Sequence, residues 1–189
     1  HVEHAEDFAR RLVDDLHPLG TVWQPAKKAT VNGLQMRPDV VLFDQESQFI
    51  QKLKTIIYQE IASYREKFND ESCAFIQHWP SDITLAGWHV ILKRQGYQSP
   101  HIHPAGWISG VVYLRIVPSL GKDEGAIEFG LNGSLYSDPN SPSVLHQPKV
   151  GDIALFPSSL HHRTIPFTTE SDRIVIAFDL MPNFKMKQP

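Results

Sequence analysis

The second half of the sequence is a series of short apolar runs separated by clusters of Gly, Pro, Asn and Ser. No segment between these runs has the three- and four-residue spacing of an amphipathic helix. Strands arranged in this way predict an antiparallel sandwich or barrel. The apolar runs are 86–92, 107–117, 126–129, 143–145, 153–156 and 174–180.

Two amphipathic helices are predicted before the apolar runs. In the first, apolar residues recur at spacings of three and four from Val2 to Leu16, and the Pro and Gly of the next four residues end the pattern. The second covers about residues 45–68, with Ser47 as its N-cap and one apolar face. Residues 21–46 between them predict loops with short strands. We expect both helices to pack on the outside of the sheet.

The composition excludes several classes of function. A length of 189 residues fits one structural domain, and a net charge of −3 gives no sign of a nucleic-acid partner. No apolar run approaches the roughly 20 residues that span a membrane, and no signal peptide is visible. The single Cys73 excludes an internal disulfide. This is compatible with a reducing compartment, so we predict a cytoplasmic protein without a membrane partner.

A His-x-His pair, His101 and His103, stands just before the longest apolar run. In a strand, residues i and i+2 point to the same side, so both imidazoles could reach one metal ion. Imidazole suits iron, zinc, copper and nickel. A lone His-x-His is nevertheless common, and two exposed or core histidines at a strand end are the alternative interpretation.

A second motif lies downstream, where the letters FPSSLHHRT cover residues 156–164, and an apolar strand with Arg173 at its start follows. The order of His-x-His, a long β-rich interval, a distal histidine and an arginine resembles that of the iron(II)/2-oxoglutarate-dependent oxygenases. The motifs HIHPAGWISG and FPSSLHHRT resemble those of one 2OG-Fe(II) oxygenase family, the branch with HxHP and FPSxLxH. The resemblance covers about residues 30–182 and includes a T-x-x-G-x-Q segment, Thr30 to Gln35, to which we assign a structural role.

The resemblance implies a fold and a division of the chain. It predicts a mainly β protein with N-terminal helices, an α+β chain whose core is a double-stranded β-helix of the jelly-roll type. Residues 1–72 would form a helical and loop support region and residues 73–189 the catalytic core, within one structural domain. Because the sequence begins with His1 rather than Met, it is also compatible with the C-terminal part of a longer protein.

The resemblance also implies a metal site. It assigns the metal to His101, His103 and a distal histidine, which the FPS motif places at His162, because His161 would point to the opposite side of a strand. His103 stands where the superfamily usually has Asp or Glu, which leaves the metal without a carboxylate ligand. No side chain is predicted to act as a catalytic acid or base, because the metal carries the chemistry.

The cosubstrate and substrate residues follow from the same resemblance. Arg173, eleven residues after His162, would pair with the far carboxylate of 2-oxoglutarate. Tyr113 and Ser109, which share one strand face, and Thr164 would line the cosubstrate pocket. Trp107 would form a wall on the substrate side, although a packed tryptophan is the alternative.

These assignments predict an iron(II)- and 2-oxoglutarate-dependent dioxygenase, a hydroxylase that uses O₂, hydroxylates its substrate and releases succinate and CO₂. Its substrate, a small molecule or a protein residue, cannot be read from the sequence, and neither can its oligomeric state. One alternative is a cupin-type enzyme with three histidine ligands that does not use 2-oxoglutarate. Another is a non-catalytic metal- or ligand-binding module. Arg173 separates the first prediction from both alternatives, because only a 2-oxoglutarate enzyme needs a cation deep in the barrel.

Overall fold

The computed structural model describes residues 2–133 and 136–183. These ranges contain three α-helices and nine β-strands, with 3₁₀ turns at His17–Leu19 and Leu42–Asp44. The helices are α1 (Ala5–Leu16), α2 (Gln48–Lys67) and α3 (Ala74–Gln77). The strands are β1 (Thr21–Trp23), β2 (Thr30–Met36), β3 (Ile83–Gln98), β4 (Ile108–Arg115), β5 (Ile127–Gly130), β6 (Ser143–His146), β7 (Ile153–Pro157), β8 (His161–Thr164) and β9 (Arg173–Pro182).

The strands form two antiparallel sheets. The larger sheet has the order β1-β2-β3-β9-β4-β7, and the smaller has the order β6-β5-β8. Apolar side chains of both sheets pack together in one core cluster, which includes Val90, Val111 and Val175 from the larger sheet and Ile127 from the smaller. The sheets therefore face each other, and the antiparallel arrangement predicted from the apolar runs is confirmed.

Strand β9 lies in the middle of the larger sheet and is buried on both faces. Its even-numbered side chains from Ile174 to Leu180 belong to the core beneath the helices. Val175 belongs to the core between the sheets, and Arg173 lies over the ring of Tyr113 in the same interior. Because successive side chains of a strand alternate between its faces, Asp179 also faces the interior. The interior of the fold thus receives two charged residues from one strand.

Helices α1 and α2 pack on the outer face of the larger sheet, as predicted. Their buried residues, which include Leu12 and Ile57, share a core cluster with Ile176 of β9. Ser47 caps α2, and its Oγ accepts hydrogen bonds from the backbone N–H groups of Phe49 and Ile50. Across the described ranges, no helix is long and apolar enough to cross a membrane.

Two strands, β3 and β8, differ from the sequence pattern, and two others, β1 and β2, bear on the predicted division of the chain. Strand β3 extends beyond the predicted run 86–92, because its second half carries polar residues and pairs with β2 at the edge of the sheet. Strand β8 contains two histidines and an arginine, so no apolar run marks it. Strands β1 and β2 come from the N-terminal support region but extend the same sheet as β3. The division at residue 72 stays a prediction.

Candidate metal centre

Three histidines meet where the segment before β4 passes β8. His101 and His162 form an isolated antiparallel bridge, in which each backbone N–H donates to the other residue's carbonyl oxygen at 3.1 Å. The N–H of His103 donates to the carbonyl oxygen of Ser158 at 2.9 Å. One ring nitrogen of each of the three histidines lies within 4.8 Å of the others. The structure therefore brings together the three residues that the motifs single out.

The hydrogen bonds of the three rings fix how they face one another. The Nδ1 of His101 lies 2.7 Å from the carbonyl oxygen of Ser99, and that of His162 lies 3.1 Å from the carbonyl oxygen of Leu160. An oxygen atom can only accept here, so each Nδ1 carries the hydrogen and each Nε2 keeps its lone pair. This tautomer is the one that presents a nitrogen ligand to a metal ion.

The ring of His103 is held by a carboxylate. Its Nδ1 donates to Oδ1 of Asp179 at 2.6 Å, and both side chains are about nine-tenths buried. The same Oδ1 accepts a hydrogen bond from Oγ of Ser109 at 2.6 Å, and Ser109 Oγ lies 2.8 Å from Oγ of Ser158. Ser109 was predicted to bind the cosubstrate; the structure places it beside Asp179, behind the ring of His103.

Gly106 makes room for this arrangement. A Cβ atom at this position would lie 2.4 Å from Oγ of Ser158 and 3.3 Å from Cγ of Asp179. The first distance is shorter than real Cβ atoms tolerate, so a side chain here would displace Ser158. Close packing behind the histidines therefore explains the first glycine of the HIHPAGWISG motif, Gly106.

Burial keeps two of the histidines neutral. Burial and, to a smaller extent, the neighbouring His101 lower the pKa of His162 to about 3. Burial also lowers the pKa of His101. Both imidazoles are therefore unprotonated at neutral pH, as metal ligation requires. His161 lies on the other side of the strand, where its ring packs over Gly133.

Arg173 and Tyr113 occupy the interior between the sheets. Arg173 is 2% exposed, its guanidinium lies 5.1 Å from the centre of the Tyr113 ring, and its Nε donates to the carbonyl oxygen of Gly125 at 3.2 Å. Among the described residues no carboxylate forms an ion pair with Arg173, because Asp172 faces the other way and pairs with Lys93 at 2.6 Å.

The hydroxyl of Tyr113 is buried and forms no hydrogen bond with the described residues. Burial raises the pKa of Tyr113 to about 12 and lowers the pKa of Arg173. A buried cation without an anionic partner and a buried hydroxyl without a hydrogen bond are unfavourable unless a ligand satisfies them. The pair therefore fits the carboxylate of a bound molecule.

Of the two remaining predicted residues, Thr164 lies on the same strand face as His162, whereas Trp107 packs against another aromatic residue. Thr164 is buried on β8, two residues after His162 and on the same face. The ring of Phe156 lies 4.5 Å from that of His162 and lines the same interior. Trp107, by contrast, stacks on Phe75 at 5.6 Å and donates its indole N–H to the carbonyl oxygen of Phe75. The contacts described for Trp107 do not include the three histidines, so the structure gives it a packing role.

Two residues near the histidines were not found from the sequence. Asp179 is a single acidic residue within a buried apolar strand, and that isolation is the signal that could have drawn attention to it. Trp88 belongs to an apolar run that reads as ordinary core, but its ring lies 5.5 Å from that of His103.

Solved structures with the same architecture identify the fold as the double-stranded β-helix. A prolyl-4-hydroxylase from Pseudomonas putida is 13% identical and has a TM-score of 0.63, with 95% of this chain and 88% of that chain covered. HygX from Streptomyces hygroscopicus, solved with nickel and 2-oxoglutarate bound, is 14% identical with a TM-score of 0.61, covering 97% and 82%. SnoK, a non-haem α-ketoglutarate-dependent carbocyclase from nogalamycin biosynthesis, is 14% identical with a TM-score of 0.66, covering 96% and 76%.

The fold is a double-stranded β-helix, and its three clustered histidines form a candidate metal site. Residues 86–179, which contain all three histidines, match the model of the family described as "Putative 2OG-Fe(II) oxygenase". The protein belongs to this 2OG-Fe(II) oxygenase family. No curated protein matches the sequence significantly.

Proposed function

We propose that the protein is an iron(II)- and 2-oxoglutarate-dependent dioxygenase that hydroxylates a substrate and releases succinate and CO₂. The observation that carries this proposal is the buried Arg173, which lacks an anionic partner among the described residues. It lies over the ring of Tyr113, and the core cluster of Tyr113 includes Phe156, whose ring packs against His162. Neither alternative, a three-histidine enzyme without 2-oxoglutarate or a binding module, gives a reason for a cation in that place.

The Nε2 atoms of His101, His103 and His162 would hold the iron. When bound, iron(II) supplies the activation of O₂ that no side chain can provide. The protein contributes geometry, because the Nδ1 hydrogen bonds hold all three rings in the ligating tautomer. Three ligands from one side leave the other side free for cosubstrate and O₂.

Arg173 and Tyr113 would bind the far carboxylate of 2-oxoglutarate. A guanidinium forms a bidentate pair with a carboxylate, and the phenol hydroxyl donates a further hydrogen bond. This removes the penalty of a buried unpaired charge and orients the cosubstrate towards the histidines. Thr164, which is buried on the same face of β8 as His162, would line the cosubstrate pocket, and the rings of Phe129 and Phe156, 4.9 Å apart, would help to exclude water from it.

Both oxygen atoms of O₂ are accounted for in the proposed reaction. One oxygen atom of O₂ enters the succinate formed when 2-oxoglutarate loses CO₂, and the other enters a C–H bond of the substrate as a hydroxyl group. Hydroxylation is the outcome we propose among those open to this fold class, which includes a carbocyclase and an epimerase. The substrate is a small molecule or a protein residue.

Succinate formation tests the proposal. Iron-loaded protein is incubated with 2-oxoglutarate and O₂, alone and with pools of amino acids, peptides and small metabolites, and succinate is measured by proton NMR. We expect slow succinate release alone and faster release with a pool that contains the substrate. His101→Ala, which lacks one of the metal ligands, is the control. The proposed function would be refuted if the wild type released succinate no faster than His101→Ala under every condition.

A further inference from the structure

A cavity of about 310 Å³ opens beside the three histidines. His101 and His103 line one side of it, and Gln35 of β2 and Trp88 of β3 line another. The volume lies at the lower end of the range for small-molecule sites. Whatever binds here lies next to the candidate metal centre, so the chemistry of the walls indicates the chemistry of the substrate.

Gln35 presents an amide donor to this cavity. It pairs with Val90 across β2 and β3, and its side chain is only 9% exposed. Its Oε1 accepts a hydrogen bond from Oγ1 of Thr30 at 3.3 Å, whereas its N–H groups have no partner among the described residues. The amide N–H groups of Gln35 line the cavity, so they can donate to an acceptor atom on a bound molecule.

The rim of the cavity is positively charged. Lys27 and Lys28, on the loop between β1 and β2, are both exposed, and neither forms an ion pair within the described part of the chain. The only acidic residue among the described lining residues is Asp179, whose Oδ1 is already bound by His103 and Ser109. Two unpaired cations thus face the opening, although the whole chain carries a net charge of −3.

We propose that the substrate carries an oxyanion group that Lys27 and Lys28 bind, and a hydrogen-bond acceptor that meets the amide of Gln35. This inference rests on the proposed function, because it treats the cavity beside the histidines as the substrate site. The small volume restricts the bound part to a small molecule or to one acidic side chain of a peptide. Trp88, packed against His103, forms the apolar wall between the anion and the metal side.

NMR titration tests the proposal. The ¹⁵N-labelled protein is loaded with zinc and 2-oxoglutarate, which allows no turnover, and is titrated with butyrate, propyl phosphate and the neutral butyramide. The side-chain amide of Gln35 and the indole N–H of Trp88, assigned from Gln35→Met and Trp88→Phe, report binding. We expect at least one oxyanion to bind about fivefold more tightly than butyramide, which is the upper end of the contribution of one exposed ion pair.

The source of the anion is tested with two blocked peptides, Ac-Gly-Glu-Gly-NH₂ and Ac-Gly-Gln-Gly-NH₂. Binding of the Glu peptide in preference to the Gln peptide indicates an acidic residue, and binding of the free anions alone indicates a small molecule. Either result supports the proposed anion site. The proposal would be overturned if butyrate and propyl phosphate shifted the Gln35 and Trp88 signals no more than butyramide does, and the Glu peptide no more than the Gln peptide.

Charge reversal locates the site. Lys27→Glu/Lys28→Glu should abolish the preference for the anion, whereas Lys122→Glu/Lys149→Glu, which changes the net charge equally at two exposed lysines outside the cavity, should keep it. The proposal would be overturned if the preference for the anion were lost in both double variants or in neither of them. Binding of 2-oxoglutarate is measured in the same variants and should be unchanged. If 2-oxoglutarate binds to none of the proteins, the proposed function fails, while the anion preference is still decided by the zinc-loaded protein.

Discussion

The Nδ1 of His103 donates to the carboxylate of Asp179 at 2.6 Å, although the two residues are 76 positions apart in the chain. Related oxygenases usually have a carboxylate as a metal ligand where this chain has His103. Here the carboxylate lies behind the imidazole. Such a partner fixes the ring of a ligating histidine and raises the basicity of its free nitrogen. Asp179 is therefore a positioning residue for the candidate metal centre.

Replacement of this carboxylate should weaken metal binding. In Asp179→Asn the charge behind His103 is lost, and we expect an affinity for zinc that is about 10- to 100-fold lower, measured by competition with a chromophoric chelator. Asp39→Asn, the same change at an exposed residue paired with Arg37, should bind zinc like the wild type. Wild-type affinity in Asp179→Asn would show that Asp179 does not support the metal centre.

The two adjacent histidines of β8 should differ in their importance. His162→Ala removes one of three clustered nitrogens and should lower zinc affinity more than Asp179→Asn does, because it removes a direct ligand. His161→Ala should bind zinc like the wild type, because its ring faces away from the cluster. The two substitutions are each other's control. The reverse order of effects would assign the ligand to His161.

His89 should make stability dependent on pH. Burial lowers its pKa to about 4, and its buried Nδ1 forms no hydrogen bond within the described part of the chain. Between its ordinary value, near 6.5, and 4, the unfolded chain binds a proton that the folded chain does not, so stability is complete above pH 6.5 and falls as the pH is lowered. From pH 7 to pH 5 this loss is about 2 kcal/mol.

Urea unfolding of the metal-free protein at pH 7 and pH 5 measures this contribution. His89→Leu should lose about 2 kcal/mol less than the wild type on acidification, and it should be no less stable at pH 7, because it removes a buried atom without a partner. His101 and His162 titrate in both proteins, so their contribution cancels in the comparison. His78→Leu, at an exposed position, should behave like the wild type. An equal loss in His89→Leu and wild type would contradict the prediction.

Local sequence signals predicted much of the fold. The apolar runs correspond to strands β3 to β7 and β9, and the two helical stripes correspond to α1 and α2. The motif register chose His162 over His161, and the structure places His162 in the histidine cluster. The strands and helices depend on neighbouring residues, which is why periodicity reveals them, whereas the choice of His162 came from the resemblance to a family motif.

The contacts that were missed depend on the order of the strands. Asp179 reaches His103 because β9 lies between β3 and β4, and no local pattern gives that order. Gln35 reaches the cavity because β2 pairs with β3 in a register with a bulge near Gly33. Trp107 was predicted either at the substrate side or as a packed tryptophan, and its stacking on Phe75 agrees with the second; no pattern had indicated α3, which provides Phe75.

Binding of 2-oxoglutarate to the anaerobic iron(II) protein, followed by its charge-transfer absorption, tests the central claim most directly. We expect saturable binding in the wild type, weaker binding in Arg173→Lys, which keeps the charge without the bidentate fork, and the weakest in Arg173→Ala. The loss in Arg173→Ala should be about 10- to 100-fold, with iron still bound, because a charged hydrogen bond is removed. Arg94→Ala, at an exposed arginine paired with Glu170, should match the wild type. Equal affinity in wild type and Arg173→Ala would contradict the account and favour a three-histidine enzyme that does not use 2-oxoglutarate.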